Sequence, residues 1–275
     1  IMIIKAHKYQ GAGNDFIILD NQNNNIELSA EQIRQLCHRR FGIGADGLML
    51  LEKSEKYDFS MKFYNSDGIE GPMCGNGGRC LVAFAYHSGI KNYHFEASDG
   101  EHRGTVLVGT PSKCIVELEM IDVHEVKEYS PKSFFLNTGA PHLVIFVEKL
   151  KDYDVLEQGR FWRHHPSFPG GTNVNFVQGN WGRCAIPEGV DLFVRTFERG
   201  VEDETYACGT GVTASAIAFH KLFQRNLYPS GTVSTRVQTI GDILDVKFDY
   251  NGEDIYSNIK LKGPATYVFT CEIEI

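Results

Sequence analysis

The chain has 275 residues, 42% of them hydrophobic and 23% charged. That balance belongs to a folded protein of one large or two ordinary domains and excludes a disordered chain. The net charge of −8 comes with no basic stripe, which argues against nucleic-acid binding, and no run approaches the roughly 20 apolar residues of a membrane span. Seven cysteines, at 37, 74, 80, 114, 184, 208 and 271, form an odd and irregularly spaced set. The opening Ile1-Met2-Ile3-Ile4-Lys5 lacks the charged-then-apolar pattern of a secretion signal, so reduced thiols and a cytoplasmic location are expected. There is no Cys-x-x-Cys or His-x-x-x-His pair to suggest metal.

In chain order, Ile3 to Lys8 and Phe16 to Leu19 read as strands either side of the turn Gly11-Ala12-Gly13-Asn14-Asp15. Ser29-Ala30-Glu31-Gln32 is a capping box that opens a helix to about Arg39. Strands follow at Gly47 to Leu51 and at Phe59 to Phe63, the second with clean alternation. After the turn Asn65-Ser66-Asp67-Gly68 comes an apolar helix opened by Cys74-Gly75-Asn76-Gly77. Strands near Tyr93 to Ala97, Gly104 to Val108 and Cys114 to Glu119 close the first half.

The second half repeats the scheme. Strands near Phe134 to Asn137 and His142 to Val147 precede a helix from Asp154 to Arg163 and the Pro/Gly stretch Pro166 to Gly171. Strands at Asn173 to Val177 and Asp191 to Phe197 lead to a second apolar helix, opened by Cys208-Gly209-Thr210-Gly211. Thr232 to Val237, Ile243 to Phe248, Ile255 to Leu261 and Thr266 to Cys271 read as strands. Val212, Ala214, Ala216, Ile217, Ala218, Phe219, Leu222 and Phe223 cover every face of the second helix, which predicts burial on all sides. The expected fold is therefore α/β: two halves, each a curved mixed sheet around one central buried helix, with both helix N-termini pointing at a cleft between them.

A cysteine followed by a Gly-x-Gly turn at a helix start is either a small buried core residue or a thiol acidified by the positive end of the helix. Its repetition at matching places favours chemistry. Two thiols on opposite faces of one carbon would form a base and an acid, the requirement for inverting a stereocentre. The glycines would let the N–H groups of Gly75, Asn76, Gly209 and Thr210 converge on a carboxylate. Arg199, in Glu198-Arg199-Gly200, is either a surface charge or a bidentate carboxylate grip. Asn14, Asn65 and Asn173 sit at turns, where asparagine is common for its own sake, and His142 precedes an apolar strand.

Taken in order, Gly11-x-Gly13-Asn14-Asp15-Phe16, Asn65-x-Asp67-Gly68, Met73-Cys74-Gly75-Asn76-Gly77-Gly78-Arg79-Cys80, Pro141-His142, Gly171-Thr172-Asn173-Val174, Glu198-Arg199-Gly200 and Ala207-Cys208-Gly209-Thr210-Gly211 resemble the diaminopimelate epimerase family. The resemblance implies two pseudo-symmetric halves, 1–120 with 264–275 and 121–263. It implies interconversion of LL- and meso-2,6-diaminopimelate, for lysine and peptidoglycan precursors, with no pyridoxal phosphate or other cofactor and no metal. The partners it implies are the small-molecule substrate and, in a homodimer, a second copy; neither nucleic acid nor membrane is among them. By the same resemblance Cys74 and Cys208 are the acid/base pair, with the amides of Gly75, Asn76, Gly209 and Thr210 on the reacting carboxylate. Asn14, Asn65, Asn173, Glu198 and Arg199 contact substrate, mainly at its distal end, and Glu198 and His142 tune the thiols.

Two departures stand out. Ala140 occupies a position where many members carry Asn, which removes one polar substrate contact. The segment from Gly200 to Ala207 is one residue longer than is common, and its two extra acidic groups would alter the cleft rim. The nearest alternative is a proline or hydroxyproline racemase, which usually carries His where this chain has Asn76. An alternative of another class is a non-catalytic thiol switch or binding protein.

Overall fold

The computed structural model describes residues 3–179 and 186–275; Ile1, Met2 and Cys184 lie outside the described residues. The chain divides into two units, Ile1–Leu118 with Gly263–Ile275, and Glu119–Lys262.

In the first unit, β1 (Ile3–Gly11) and β2 (Asn14–Asn21) form a hairpin, followed by α1 (Ala30–Cys37), β3 (Gly47–Glu52), β4 (Phe59–Asn65) and the two-residue β5 (Glu70–Gly71). Then come α2 (Gly75–His87), β6 (His94–Ala97), β7 (Gly100–Gly109) and β8 (Lys113–Glu119). The strand order β1-β2-β3-β4-β6-β7-β8 is closed by the second part of the last strand, which pairs with both β8 and β1. α2 packs against β1, β2, β3 and β7, and every residue from Gly75 to Ala85 is buried. A helix wrapped by a closed ring of strands is apolar all round for that reason. β2 and β3 are buried on both faces. Ile17, Leu19, Leu48 and Leu50 meet Ile33 and Leu36 of α1 on one side, and Phe16 and Met49 lie nearest Gly77 of α2 on the other.

In the second unit, β9 (Val126–Ser130), β10 (Ser133–Asn137), β11 (Pro141–Phe146), α3 (Val155–Arg163), β12 (Asn173–Gly179), β13 (Leu192–Glu198) and β14 (Asp203–Thr205) lead to α4 (Gly209–Phe219). A π-helical turn at His220–Gln224, β15 (Gly231–Gln238), β16 (Ile243–Tyr250) and β17 (Tyr256–Glu274) follow. α4 is wrapped by β10, β11, β12, β13, β15 and β16. The 120–123 segment bonds back to β17 at Ile259 and Tyr256. The two units share the element order β-β-α-β-β-β-α-β-β-β, from β1 to β8 and from β10 to β17, with β9 preceding it in the second, and with parallel pairs at the same places: β2–β3 and β4–β6 in one, β11–β12 and β13–β15 in the other. Each unit is thus a mixed sheet wrapped around a central buried helix, the fold class expected from the sequence.

Three local readings are corrected. α1 stops at Cys37 rather than near Arg39, because the His38 ring Nδ1 accepts from the amides of Arg40 and Phe41, at 3.1 Å each, and turns the chain. Burial of the second helix ends at His220, not Phe223. The π turn anchors His220 to the Tyr228 carbonyl at 3.0 Å and leaves Phe223 41% exposed. The two C-terminal strands read around Gly263-Pro264 are one strand, β17. Its partner changes there from β16, whose pairing ends at Lys262, to β8, and Pro264 is the second residue of the new ladder, opposite Ile115.

Candidate active site

Each cysteine is the N-cap of its unit's central helix. Cys74 has φ −95° and ψ 131° before α2, and Cys208 has φ −115° and ψ 111° before α4. Neither side chain makes a capping hydrogen bond to its own helix, so the sulfur is directed elsewhere than a serine or aspartate N-cap would be. The Gly at the fourth position of each motif lets the helix approach a strand. A methyl at Gly77 would lie 3.3 Å from Met49 Sδ, and one at Gly211 would overlap Asn175 Oδ1.

In the first unit, Cys74 Sγ lies 3.8 Å from Asn14 Oδ1. Asn14 donates through Nδ2 to Asp46 Oδ2 at 2.6 Å and accepts from Asn76 Nδ2 at 3.4 Å. Asn76 accepts in turn from Arg79 Nη2 at 2.9 Å. Arg79 is fully buried and also donates to the carbonyls of Gly75 and Pro264, both at 3.3 Å. A buried arginine that loses its acceptors would be costly, which makes this cluster a rigid mount for the helix start. Below Asn14, Asp15 is paired with Lys8 and Arg39, and Arg39 also pairs with Asp46. Bonds from Arg39 and Lys8 outweigh the burial that opposes them and hold the Asp15 carboxyl down at about 2. The approach to Cys74 is fixed by Asp99, which accepts from the Met73 amide at 3.1 Å and from His102 at 3.0 Å. Asn65, at the end of β4, is exposed and donates to the Ile69 carbonyl at 3.4 Å.

In the second unit, Cys208 Sγ lies 3.5 Å from Thr210 Oγ1, and Thr210 Oγ1 lies 2.9 Å from His142 Nε2. The other ring nitrogen, Nδ1, is 3.1 Å from Asn175 Nδ2. His142 is fully buried; burial, then the Arg199 charge, brings its pKa down to about 3, so the ring is neutral. Asn173 is buried and ties two backbone segments together, donating to the Pro141 carbonyl at 3.1 Å and accepting from the Arg199 amide at 2.8 Å. Glu198, the last residue of β13, accepts from Thr205 Oγ1 at 2.9 Å, while the Arg199 side chain is exposed. The acidic residues read as extra rim groups are engaged within the unit: Glu202 with Arg163 and His164, and Glu204 with both guanidinium arms of Arg195.

The structure therefore gathers Cys74, Asn14, Gly75 and Asn76 in one unit, and Cys208, Thr210, His142, Gly209, Asn173, Glu198 and Arg199 in the other, with Asn65 at the β4 end of the first. Sequence reading passed over Asn175, Thr196, Arg79 and Asp46. Asn175 had a visible signal, since it lies two residues from Asn173 on one strand and so on the same face of an otherwise apolar run.

Solved structures with this fold include a phenazine biosynthesis protein of the PhzF family from Bacillus anthracis, with a TM-score of 0.79 at 15% identity over 100% of both chains. A hydroxyproline epimerase from Agrobacterium vitis matches with a TM-score of 0.68 at 15% identity, over 98% of this chain and 92% of that one. The fold is thus one that a PhzF-family protein and a hydroxyproline epimerase share. The sequence decides the family. The family model described as diaminopimelate epimerase matches residues 6–117 and 134–268. A curated diaminopimelate epimerase from Flavobacterium psychrophilum is 44% identical over 277 residues, 98% of this chain and all of that one. The chain belongs to the diaminopimelate epimerase family and is an isomerase.

Proposed function

We propose that the chain interconverts LL- and meso-2,6-diaminopimelate by a two-base mechanism in which Cys74 and Cys208 exchange roles. The observation that carries this reading is the pair of cysteines at equivalent N-caps of two buried helices in a chain of this family. One thiolate removes the α-proton, and the other thiol delivers a proton to the opposite face. The configuration inverts, and the two sulfurs end with their protonation states swapped. The α-proton of an amino acid is a weak acid, so the negative charge that develops needs donors already in place. In this reading the first-turn amides of Gly75, Asn76, Gly209 and Thr210 supply them to the reacting carboxylate. Each helix end adds about 0.3–1 kcal/mol of favourable field.

The second amino and carboxylate end of the substrate is taken by Asn14, Asn65, Asn173, Glu198 and Arg199. Arg199 suits a distal carboxylate because its guanidinium is exposed while its backbone is fixed by Asn173. His142, through Thr210, and Glu198 adjust the thiols. No pyridoxal phosphate or metal is called for, since the thiols carry both proton transfers. The reading places the enzyme in the cytoplasm, where thiols stay reduced, as a homodimer acting in lysine and peptidoglycan precursor synthesis.

The test is to incubate the protein separately with diaminopimelate and with proline in D2O and follow the α-position by NMR. Deuterium should enter diaminopimelate as its stereochemistry inverts. Exchange into proline but not diaminopimelate would move the assignment to the proline-type racemases. Exchange into neither would favour a thiol switch or a binding protein.

A further inference from the structure

The shared element order places the residues of the two units in one-to-one correspondence. Phe16 pairs with Gly47 across the parallel strands β2 and β3, as His142 pairs with Asn173 across β11 and β12. Two residues further along, Met49 corresponds to Asn175. Phe63, opposite Met49, corresponds to Thr196, opposite Asn175. At the helix starts Asn76 corresponds to Thr210. Counting back two from Phe16 and His142, Asn14 corresponds to Ala140. The layer beside the helix start is therefore apolar in the first unit (Phe16, Met49 and Phe63, with Phe16 and Phe63 edge to face at 6.1 Å) and polar in the second (His142, Asn175 and Thr196).

The proton positions in each network are fixed by groups that can act in only one sense. In the second unit the Leu143 carbonyl can only accept, and it lies 3.2 Å from Asn175 Nδ2, while Asn175 Oδ1 accepts from Thr196 Oγ1 at 2.9 Å. Asn175 thus presents an N–H to His142 Nδ1, and the neutral ring carries its hydrogen on Nε2. That hydrogen points at Thr210 Oγ1 and takes one of its two acceptor positions, which leaves the hydroxyl hydrogen available for Cys208 Sγ. In the first unit Arg79 can only donate, so Asn76 presents Oδ1 to it and Nδ2 to Asn14. The Asp46 carboxylate takes Asn14 Nδ2, so Asn14 turns its oxygen toward Cys74. One sulfur faces a hydroxyl that is able to donate, and the other faces an amide oxygen that can only accept.

We propose that the thiols are unequal in the resting protein: Cys208 is the thiolate, stabilised by the Thr210 hydroxyl, and Cys74 is the thiol, donating to Asn14 Oδ1. Asn175 and Thr210 are positioning residues that set this order. Charges of both signs flank each network. The Arg199 cation, which acts on neutral His142, and the Glu198 carboxylate, bonded by Thr205, lie on the Cys208 side. On the Cys74 side Asp15 and Asp46 pair with Lys8 and Arg39, Asp99 pairs with His102, buried Cys80 lies near, and the Arg79 cation is held by carbonyls and Asn76. The order therefore rests on the hydroxyl and the amide oxygen nearest each sulfur. The use of this order in turnover rests on the epimerase reading. The stereoisomer that presents its α-hydrogen to Cys208 finds a base ready, whereas the other requires the protons to redistribute first.

The test is peptide-resolved mass spectrometry of labelling by methyl methanethiosulfonate across pH, taking the midpoint of each cysteine's profile rather than its absolute rate. The midpoint of Cys208 should lie at least about one pH unit below that of Cys74. Thr210→Val should raise the Cys208 midpoint by about one to two units, the worth of one hydrogen bond to a charged group, without moving that of Cys74. Thr210→Ser should preserve the midpoint, and Asn175→Leu should raise it. Ultraviolet thiolate absorbance gives the order without a reagent: the low-pH step should survive in Cys74→Ser and vanish in Cys208→Ser. Equal midpoints, a lower midpoint for Cys74, or a Cys208 profile indifferent to Thr210→Val overturns the proposal. Failure of the deuterium assay on diaminopimelate would instead remove the functional reading and leave the thiol order standing.

Discussion

Gly211→Ala isolates the close approach on which the Cys208 network depends. The backbone at Gly211 is helical, so alanine there is conformationally welcome and gains about 1 kcal/mol of helix propensity. Its methyl, however, would overlap Asn175 Oδ1 and lie 3.2 Å from Asn175 Cγ and 3.3 Å from Cys208 Cβ. Asn175 has no free space to withdraw into. It is fully buried and bonded to Thr196, Leu143 and His142 at 2.9, 3.2 and 3.1 Å. Displacing the amide strains two or three bonds worth roughly 1 kcal/mol each, and overpacking adds about 1–3 kcal/mol. Net destabilisation should be about 2–5 kcal/mol, a loss of roughly 4–20 °C in Tm for a chain of this size. Calorimetry of the variant measures it. Asn175→Ser removes the obstructing oxygen, so in the double variant the two costs should fall short of their sum by more than about 1 kcal/mol. A Gly211→Ala protein as stable as the parent, or strict additivity with Asn175→Ser, would show that the contact does not constrain the site.

Acid should weaken the fold through His142. Its folded pKa, about 3, lies below the unfolded value of about 6.5, so from about pH 6.5 downward the unfolded chain takes a proton that the folded one refuses, and stability falls by up to about 1.4 kcal/mol per pH unit. Urea titrations between about pH 6.5 and 4 should show this slope reduced in His142→Gln, and an unchanged slope would contradict the assignment. Asp15, with its folded pKa depressed to about 2, contributes stability that is present above about pH 4 and lost only below it. Cys74→Ala and Cys208→Ala should each abolish inversion in both directions, because one face loses its proton carrier; chromatographic resolution of the stereoisomers reads this, and inversion surviving in either variant counts against a two-base mechanism. Arg199→Ala should raise KM for diaminopimelate more than it lowers kcat, and steady-state kinetics with both constants intact would remove Arg199 from the distal end.

Much of the fold was legible because its signals are local. The Ser29–Gln32 capping box, the alternation of Phe59 to Phe63 and the all-round apolarity of the two Cys-Gly helices each name an element with little tertiary help. β5 and β14 are two and three residues long, too short for any periodicity to register. β17 was hidden because Pro264 reads as a break, whereas the strand carries it in the β8 ladder just past a change of partner. The candidate site was legible at the cysteines, where an unusual residue occupies a helix start, and illegible at Arg79, whose burial depends on carbonyls as far off in sequence as Pro264.

The repeat itself misleads in one respect. Two Cys-Gly-x-Gly motifs invite the reading of two equivalent thiols, and the backbone bears this out, since both cysteines hold the same cap position in the same element order. The difference lies one layer away, in strands whose residues alternate between apolar and polar without changing the strand. Where the first unit fills the space beside its helix with Phe16, Met49 and Phe63, the second fills it with His142, Asn175 and Thr196. A buried polar trio must satisfy its hydrogen bonds, here with the Leu143 carbonyl and Thr210 as well as among its own members, and that requirement orients the protons as far as the His142–Thr210 bond. With Ala140 at the place of Asn14, no second amide oxygen approaches from that position to offer Cys208 an acceptor. In the proposed thiol order, a duplicated backbone would supply two sulfurs of opposite proton demand, which a reaction that needs one base and one acid at the start of each turnover would use directly.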